Sequence, residues 1–255
     1  MTIADNIRTV KERISLAAAS VGRQPNEIKL IAVSKTKAAE QIIEAVKAGQ
    51  LAFGENYAQE LRGKAKAISE SIALSHHLTI EPEWHFIGRL QKNKIKYVLP
   101  VAKWIHTVDS TELIGTIGKW STSTPSPLPL SHQGRGKMVT SNYLIEVNIA
   151  NEPSKSGISP ENVFSLVEAF SAILPSHHLA ISLKGLMCMP PYSDNPENSR
   201  PYFKKLKTLL DEINSRNIYP QKLTELSMGM SHDFEVAIEE GSTIIRVGTA
   251  IFGER

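Results

Sequence analysis

The residue best placed to do chemistry in this chain is a lysine at the end of an apolar run. Leu30-Ile-Ala-Val33 gives four apolar residues in a row, and Ser34-Lys35-Thr36-Lys37 follows directly. Such a run reads as a short strand buried on both faces. In water a lysine side chain has a pKa of ~10.4, so only about one molecule in a few thousand carries the neutral amine at pH 7. Partial burial or a neighbouring cation lowers that pKa, and the amine then attacks aldehydes to give a Schiff base. Lys35 is the candidate for this role. The alternative is a lysine that snorkels from the strand end into solvent.

The elements that must position Lys35 follow a strand-then-helix rhythm. Ile7, Val10, Ile14, Leu16, Ala17 and Ala18 form the apolar stripe of a first helix. Strands are predicted over 29–33, 51–53, 83–87, 104–108, 143–149, 181–187, 223–226 and 243–247. Asn56 is placed to cap a helix starting at Tyr57, and 91–99 reads as a helix stopped by Pro100. Residues 121–138 carry Pro125, Pro127, Pro129, Gly134 and Gly136 among serines and threonines. Alternate prolines forbid a regular helix or central strand, so a flexible insertion within one domain of residues 1–255 is expected. Strand–helix alternation implies a parallel sheet, and so many units in ~250 residues predict a single (β/α)8 TIM barrel of the α/β class. An open doubly wound sheet would favour Gly-x-Gly-x-x-Gly after the first strand, and Ser34-Lys35-Thr36 is not that.

In such a barrel the reactive groups gather at the carboxyl ends of the strands. Here these ends carry Lys35, Gly54-Glu55-Asn56, Gly88-Arg89-Leu90-Gln91, Thr107-Val-Asp109, Asn148, Ser227-Met-Gly-Met-Ser231 and Gly248-Thr249. Phosphate sites in this fold often follow strands seven and eight. Glycines let backbone amides approach an anion, helix starts add positive potential, and hydroxyls donate. The same residue types also make ordinary turns and helix caps. A ligand needing both an amine and a phosphate pocket is an aldehyde or ketone phosphate: pyridoxal 5'-phosphate, or the sugar phosphate of a Schiff-base aldolase. Arg246 lies two residues before Gly248. Pointing inward it would lower the pKa of Lys35, bind a phosphate or face a pyridine nitrogen; pointing outward it would pair with a helix carboxylate.

Composition excludes several classes. A net charge of +3, from 29 basic and 26 acidic residues, gives no argument for nucleic acid or a membrane surface. No apolar run approaches the length needed to span a bilayer, and the start has no secretory pattern. The single cysteine, Cys188, excludes an intrachain disulfide and a cysteine-rich metal site, and fits a reducing compartment. A soluble cytoplasmic protein is expected. His76-His77 and His177-His178 lack carboxylate or cysteine partners, so no metal site is expected. Met187, Cys188 and Met189 read as a core edge, and Lys64 and Lys66 as a solvated helix face.

Taken together, the motifs resemble a known family. They are Ala32-Val-Ser-Lys-Thr-Lys37, Phe53-Gly-Glu-Asn-Tyr57, Trp84-His-Phe-Ile-Gly88 with Leu90-Gln91, and Ser154-Lys-Ser-Gly-Ile158. Gly185-Leu-Met187, Leu226-Ser-Met-Gly-Met-Ser231 with Asp233, and Gly241-Ser-Thr243 through Gly253 complete the set. These look like the pyridoxal-phosphate homeostasis proteins over residues 28–253, apart from the insertion. That family is similar to the barrel domain of alanine racemase (fold type III) without its second, β-rich domain. The resemblance implies a protein that binds pyridoxal 5'-phosphate (PLP) and serves vitamin B6 and amino-acid balance without established turnover. A monomer is expected, with PLP-dependent apoenzymes or a regulatory protein as partners. Lys35 would hold PLP covalently. Ser227, Gly248 and Thr249 would hold the phosphate, with Ser231 beside them; Arg246 would face the pyridine nitrogen, and Asn56 and His85 would lie near the ring. No residue is assigned to catalysis or to a metal. Arg89, at a variable place, and residues 121–138 depart from the family pattern. A cation at the pyridine nitrogen weakens PLP as an electron sink, and racemisation needs a second base. In alanine racemase that base is a tyrosine from the missing domain. Tyr57, Tyr97, Tyr143, Tyr192, Tyr202 and Tyr219 are the internal candidates, and none follows a strand end convincingly. A PLP-dependent amino-acid racemase of low activity is the alternative function. A regulatory module acting through a protein contact is a third.

Overall fold

Short β-branched apolar runs set between amphipathic stretches dictate the alternation seen in the computed structural model, which describes residues 1–74, 81–123, 141–153, 155–173 and 181–254. Helix α1 (Ile3–Ser20) precedes β1 (Lys29–Val33), α2 (Ala39–Lys47), β2 (Ala52–Glu55), α3 (Ala58–Leu74) and β3 (Glu83–Phe86). Then come α4 (Ile95–Val98), β4 (Trp104–Val108), α5 (Thr111–Ser123), β5 (Ser141–Val147), α6 (Val163–Ile173) and β6 (Ile181–Cys188). The chain finishes with α7 (Arg200–Ser215), β7 (Glu225–Ser227), α8 (Phe234–Glu239), β8 (Ile244–Val247) and α9 (Thr249–Phe252). Each strand pairs in parallel with the next, and β8 pairs with β1 from Lys29–Ile244 to Ala32–Val247, so the sheet closes. The architecture is the expected (β/α)8 barrel. The register sets Ile31 beside Arg246, Gly54 beside His85 and His85 beside Trp104.

Two apolar layers hold it together. The larger lies between sheet and helices and includes Ile42, Phe53, Leu61, Phe170, Phe203 and Leu226. The smaller comprises Ile31, Ala52, Trp104, Leu144, Met187 and Ile244, which alternate with the outward set and fill the barrel. Burying each such aliphatic side chain contributes about 2 kcal/mol.

The structure corrects several boundaries. β2 runs to Glu55 rather than ending at residue 53. It can do so because Gly54 has no side chain: a Cβ there would lie 2.9 Å from Ile31 Cγ2 and 3.0 Å from Ile87 Cδ1. Asn56 does not cap α3, which starts at Ala58 with the Leu61 N–H on the Tyr57 carbonyl. The stretch 91–99 is a 3-10 turn (Lys92–Lys94) followed by the single turn α4. Lys92, Lys94 and Lys96 crowd it with like charges, which disfavours a longer helix. α5 continues through Ser123, three residues into the expected insertion; residues 124–140 lie outside the described residues, as do His76, His77, His177 and His178. No helix among the described residues is long and apolar enough to cross a membrane.

The loops after β2 and β3 touch backbone to backbone. A Cβ on Gly88 would come within 2.1 Å of the Asn56 carbonyl oxygen, a contact that no side-chain motion relieves. Gly88→Ala is expected to cost about 3 kcal/mol, the upper range for overpacking. The test is a urea midpoint, and an unchanged midpoint would show that the two loops separate freely.

Candidate functional site

Lys35 sits partly buried in the turn that follows β1, and that turn is strained. Thr36 has φ 64°, a left-handed conformation that a β-branched residue adopts only when its surroundings enforce it. The enforcement comes from α3. The Glu60 carboxylate accepts the Thr36 N–H at 2.9 Å. Lys64 Nζ donates to Glu60 at 2.8 Å, to the Ser34 carbonyl at 2.8 Å and to Glu55 Oε1 at 2.9 Å. Ser34 Oγ donates to the same Glu55 oxygen at 2.6 Å. Lys64 is therefore no solvated helix residue: its side chain is 11% exposed. Lys66 fits the expectation, being exposed with only a 3.8 Å contact to Glu70. Burial pushes the Glu55 carboxyl up, opposed by Lys64 and Ser34. On the other flank Lys37 Nζ donates to the carbonyls of Phe252, Gly253 and Glu254, at the end of α9, where a cation also suits the helix dipole.

A second group of predicted residues meets next to this turn. Ser231 Oγ accepts the N–H groups of Gly248 at 3.2 Å and Ala250 at 3.5 Å. Thr249, exposed, opens α9 between them. Gly248 faces the end of β1, since a Cβ there would lie 3.4 Å from Val33 Cβ. The loop that carries Ser231 is fixed by buried Asp233, which accepts the Met230 N–H at 2.7 Å and the Ser199 hydroxyl at 2.9 Å. Gly229 makes its turn with φ 95°.

Arg246 points inward. Only 4% exposed, it donates from Nη1 to Ser227 Oγ at 2.6 Å and from Nη2 to the Cys188 carbonyl at 2.9 Å. Ser227 Oγ also meets His106 Nδ1 at 2.9 Å, His106 Nε2 meets His85 Nδ1 at 3.0 Å, and His85 Nε2 meets Glu83 at 3.0 Å. The Ser227 hydroxyl is thus engaged inside the barrel rather than in the Ser231–Gly248 group, and both ring nitrogens of His85 are occupied beneath the mouth. Burial lowers the His85 pKa to about 4, with Glu83 opposing. Burial, His85 and Arg246 hold His106 well below the usual histidine range. Burial alone would raise Glu83, but hydrogen bonds from His85, Lys103 and Lys29 outweigh it and hold the carboxyl well below the usual range.

Two groups at the mouth complete the inventory. Asn56 Oδ1 is buried without a hydrogen-bond partner, an acceptor turned to no protein donor. Glu146 is buried and its pKa is pushed up to about 7, by burial and Asp109 against the pull of Arg246 and Arg89. It lines a cavity of about 260 Å³ with Asn148, Lys155, Ser156 and Met189. The Cys188 thiol is pushed up to about 12 by burial, which suits a core residue. Among the described residues no cluster of histidine, cysteine and carboxylate groups is placed to hold a metal ion. Sequence reasoning missed Lys64, His106 and Glu146. The last two had a signal: each lies inside a short apolar strand, where a polar residue needs a reason.

The Gly248 and Ala250 amides thus lie next to the Lys35 turn, with the Arg246 cation buried below them and the Asn56 acceptor at the end of β2. The chain is 41% identical, over its full length and 99% of the relative's, to the "Pyridoxal phosphate homeostasis protein" of Aquifex aeolicus. Its fold matches that of PipY from Synechococcus elongatus, solved with PLP bound, with a TM-score of 0.76 and 28% identity over 99% of this chain and 100% of that one. It matches alanine racemase of Clostridium difficile with a TM-score of 0.67 at 14% identity, covering 98% of this chain and 57% of the racemase, a likeness of fold. No family model matches the chain.

Lys64→Met leaves Glu55 and Glu60 without their cation and frees the Lys35 turn. It is expected to cost about 3 kcal/mol at pH 7, as for other broken buried pairs. The cost should shrink towards pH 4, where Glu55 takes up a proton; urea titrations giving equal losses at both pH values would refute the clamp. Glu146 acts in the opposite sense. Its folded pKa of about 7 exceeds the ordinary 4.5, so the unfolded chain releases that proton first and stability falls as pH rises from 4.5 to 7. Glu146→Gln is expected to gain up to about 3 kcal/mol at pH 8 and nothing at pH 4. A gain independent of pH would show that packing, not charge, is responsible.

Proposed function

Because this chain belongs to the pyridoxal phosphate homeostasis protein family, we propose that it binds PLP as a Schiff base on Lys35 and serves intracellular vitamin B6 and amino-acid homeostasis rather than turnover. The observation that carries this reading is the juxtaposition of the Lys35 turn with the Ser231–Gly248–Ala250 group. Amides that now converge on a hydroxyl oxygen are equally suited to phosphate oxygens. In this reading Gly248, Thr249 and Ser231 hold the phosphate, and the buried Asn56 oxygen accepts from the ligand. Ser227 and His85 contribute from beneath, through Arg246. Residues 1–255 act as one PLP-binding barrel domain, monomeric and cytoplasmic, that exchanges PLP with apoenzymes or a regulatory protein.

When bound, PLP supplies an electron sink for carbanion chemistry, which a protonated ring nitrogen strengthens. Arg246 opposes that protonation, being a permanent cation already fixed by Ser227 and Cys188. Three of the tyrosines offer no ready base. Tyr143 is fully buried and its phenol is pushed far up by burial. Tyr219 accepts the Leu183 N–H in the core, and Tyr192 is raised by its hydrogen bond to Asp194. The second reading, a low-activity amino-acid racemase, is favoured by Glu146, a carboxyl at the mouth that titrates near neutrality.

The test is the absorbance spectrum of the purified protein with added PLP. A visible band that bleaches with borohydride, and a pyridoxyl-phosphate mass on the Lys35 peptide, are expected, and neither should appear in Lys35→Ala. Protein that stays colourless and unmodified in excess PLP would return the site to a sugar phosphate. L-Alanine incubated with the loaded protein should keep its optical activity. Sustained loss, abolished by Lys35→Ala and by Glu146→Gln, would establish the racemase.

A further inference from the structure

The groups inside the barrel form a chain whose hydrogen-bond direction is fixed from both ends. Ser227, His106 and His85 are fully buried, and Arg246 nearly so. At one end a guanidinium can only donate, so Ser227 Oγ accepts from Arg246. At the other end Glu83 is paired with Lys29 at 2.6 Å and Lys103 at 2.8 Å, and an ionised carboxylate can only accept. His85 must therefore carry its hydrogen on Nε2, which faces Glu83. A neutral imidazole then has a bare Nδ1, which must accept from His106 Nε2 at 3.0 Å. His106 Nδ1 is bare in turn and accepts the Ser227 hydroxyl hydrogen at 2.9 Å. Every hydrogen in the chain Arg246→Ser227→His106→His85→Glu83 points away from the arginine. A second proton on either ring would set two donors against each other, next to a buried cation.

We propose that His106 and His85 are positioning residues that aim the Arg246 guanidinium, and so set the charge met by the ring nitrogen of bound PLP, from Glu83 at the opposite end of the barrel. Neither histidine touches the ligand. They act by fixing which lone pairs of Ser227 remain for Arg246, and this rests on the PLP reading only for its last step. Removing His106 leaves the buried Ser227 hydroxyl hydrogen without its acceptor, so the lone pair offered to Arg246 is no longer fixed, a loss comparable to one buried hydrogen bond.

Two measurements test it. Nitrogen-15 NMR of the ligand-free protein should show two neutral imidazoles, both protonated on Nε2 and both protected from solvent exchange. An Nδ1–H tautomer or an imidazolium on either residue at neutral pH would overturn the chain, and this arm needs no variant. With PLP added, His106→Leu should weaken binding roughly tenfold and move the pH midpoint of the Schiff-base band, with His106→Gln partly restoring both. In an Arg246→Gln background His106→Leu should change neither. An equal effect in both backgrounds would show that His106 merely supports the fold and would refute positioning through Arg246. A wild-type protein with the expected tautomers that takes no PLP would sink the cofactor reading, and the claim about its ring nitrogen with it. Bound PLP with the wrong tautomers sinks this inference alone.

Discussion

A guanidinium inside a barrel cannot shed its proton, so everything around Arg246 must be arranged to keep it charged away from water. Burial pushes its pKa down, yet the group remains a cation, and its partners are a hydroxyl and a carbonyl rather than a carboxylate. Among the described residues no ion pair neutralises it directly. The carboxylates that act on it from a distance are Asp233 and Glu146, while Glu83, at the far end of the interior, is shared among Lys29, Lys103 and His85. Between the two ends the interior is a row of hydrogen-bonded neutral groups in place of the aliphatic layer that such barrels usually carry. The apolar layer of Ile31, Trp104, Leu144, Met187 and Ile244 packs around that row and excludes water from it. That exclusion makes each hydrogen bond expensive to lose.

The same economy governs the lysine. Thr36 occupies a conformation that costs about 1–2 kcal/mol for a β-branched residue, and Lys64 offsets it by binding three acceptors at once. The turn is tied to α3 on one side and, through Lys37, to the end of α9 on the other. The Gly248 amide leads into α9 as well. The amine and the amide group therefore share one support, and a displacement of α9 would move both together.

The barrel and the lysine were legible because both rest on local pattern: eight apolar runs separated by helical stretches, one of them ending in an amine. Ser231, Gly248 and Thr249 were legible as a cluster because the topology brings the ends of β7 and β8 together. Ser227 and His85 were read as ligand residues; the structure gives their side chains partners inside the barrel, in Arg246, His106 and Glu83. Strands buried on both faces lose the hydrophobic alternation that would tell inward from outward. The same loss hid His106 and Glu146. Lys64 was hidden differently: helix periodicity put it on a polar face, and only the approach of the turn after β1 converts that face into an interior. Asn56 looked like a helix cap because its residue type commonly is one; β2 extends to Glu55 and α3 starts only at Ala58, so Asn56 stands directly at the strand end.

The mouth itself bears on the choice between holding a cofactor and using it. Tyr57 and Met189 are about half exposed and Tyr192 is 74% exposed, so the rim after β2 and β6 lies open to water. Carbanion chemistry requires a water-excluded site and a base held against the substrate. A protein that must take up and surrender the same ligand requires an open path to it. Glu146 brings the two demands into contact. Its carboxyl is kept near neutrality by burial and by Asp109, and it is restrained by the cations Arg246 and Arg89. A carboxyl pushed up to about 7 can exchange a proton near neutral pH, but Arg246, one of the cations that keeps it ionisable, is also the group proposed to weaken the electron sink. In the proposed reading the two demands therefore meet at one residue: the arginine that helps keep Glu146 ionised is locked from below by Ser227 and the Cys188 carbonyl, where it would also weaken the electron sink.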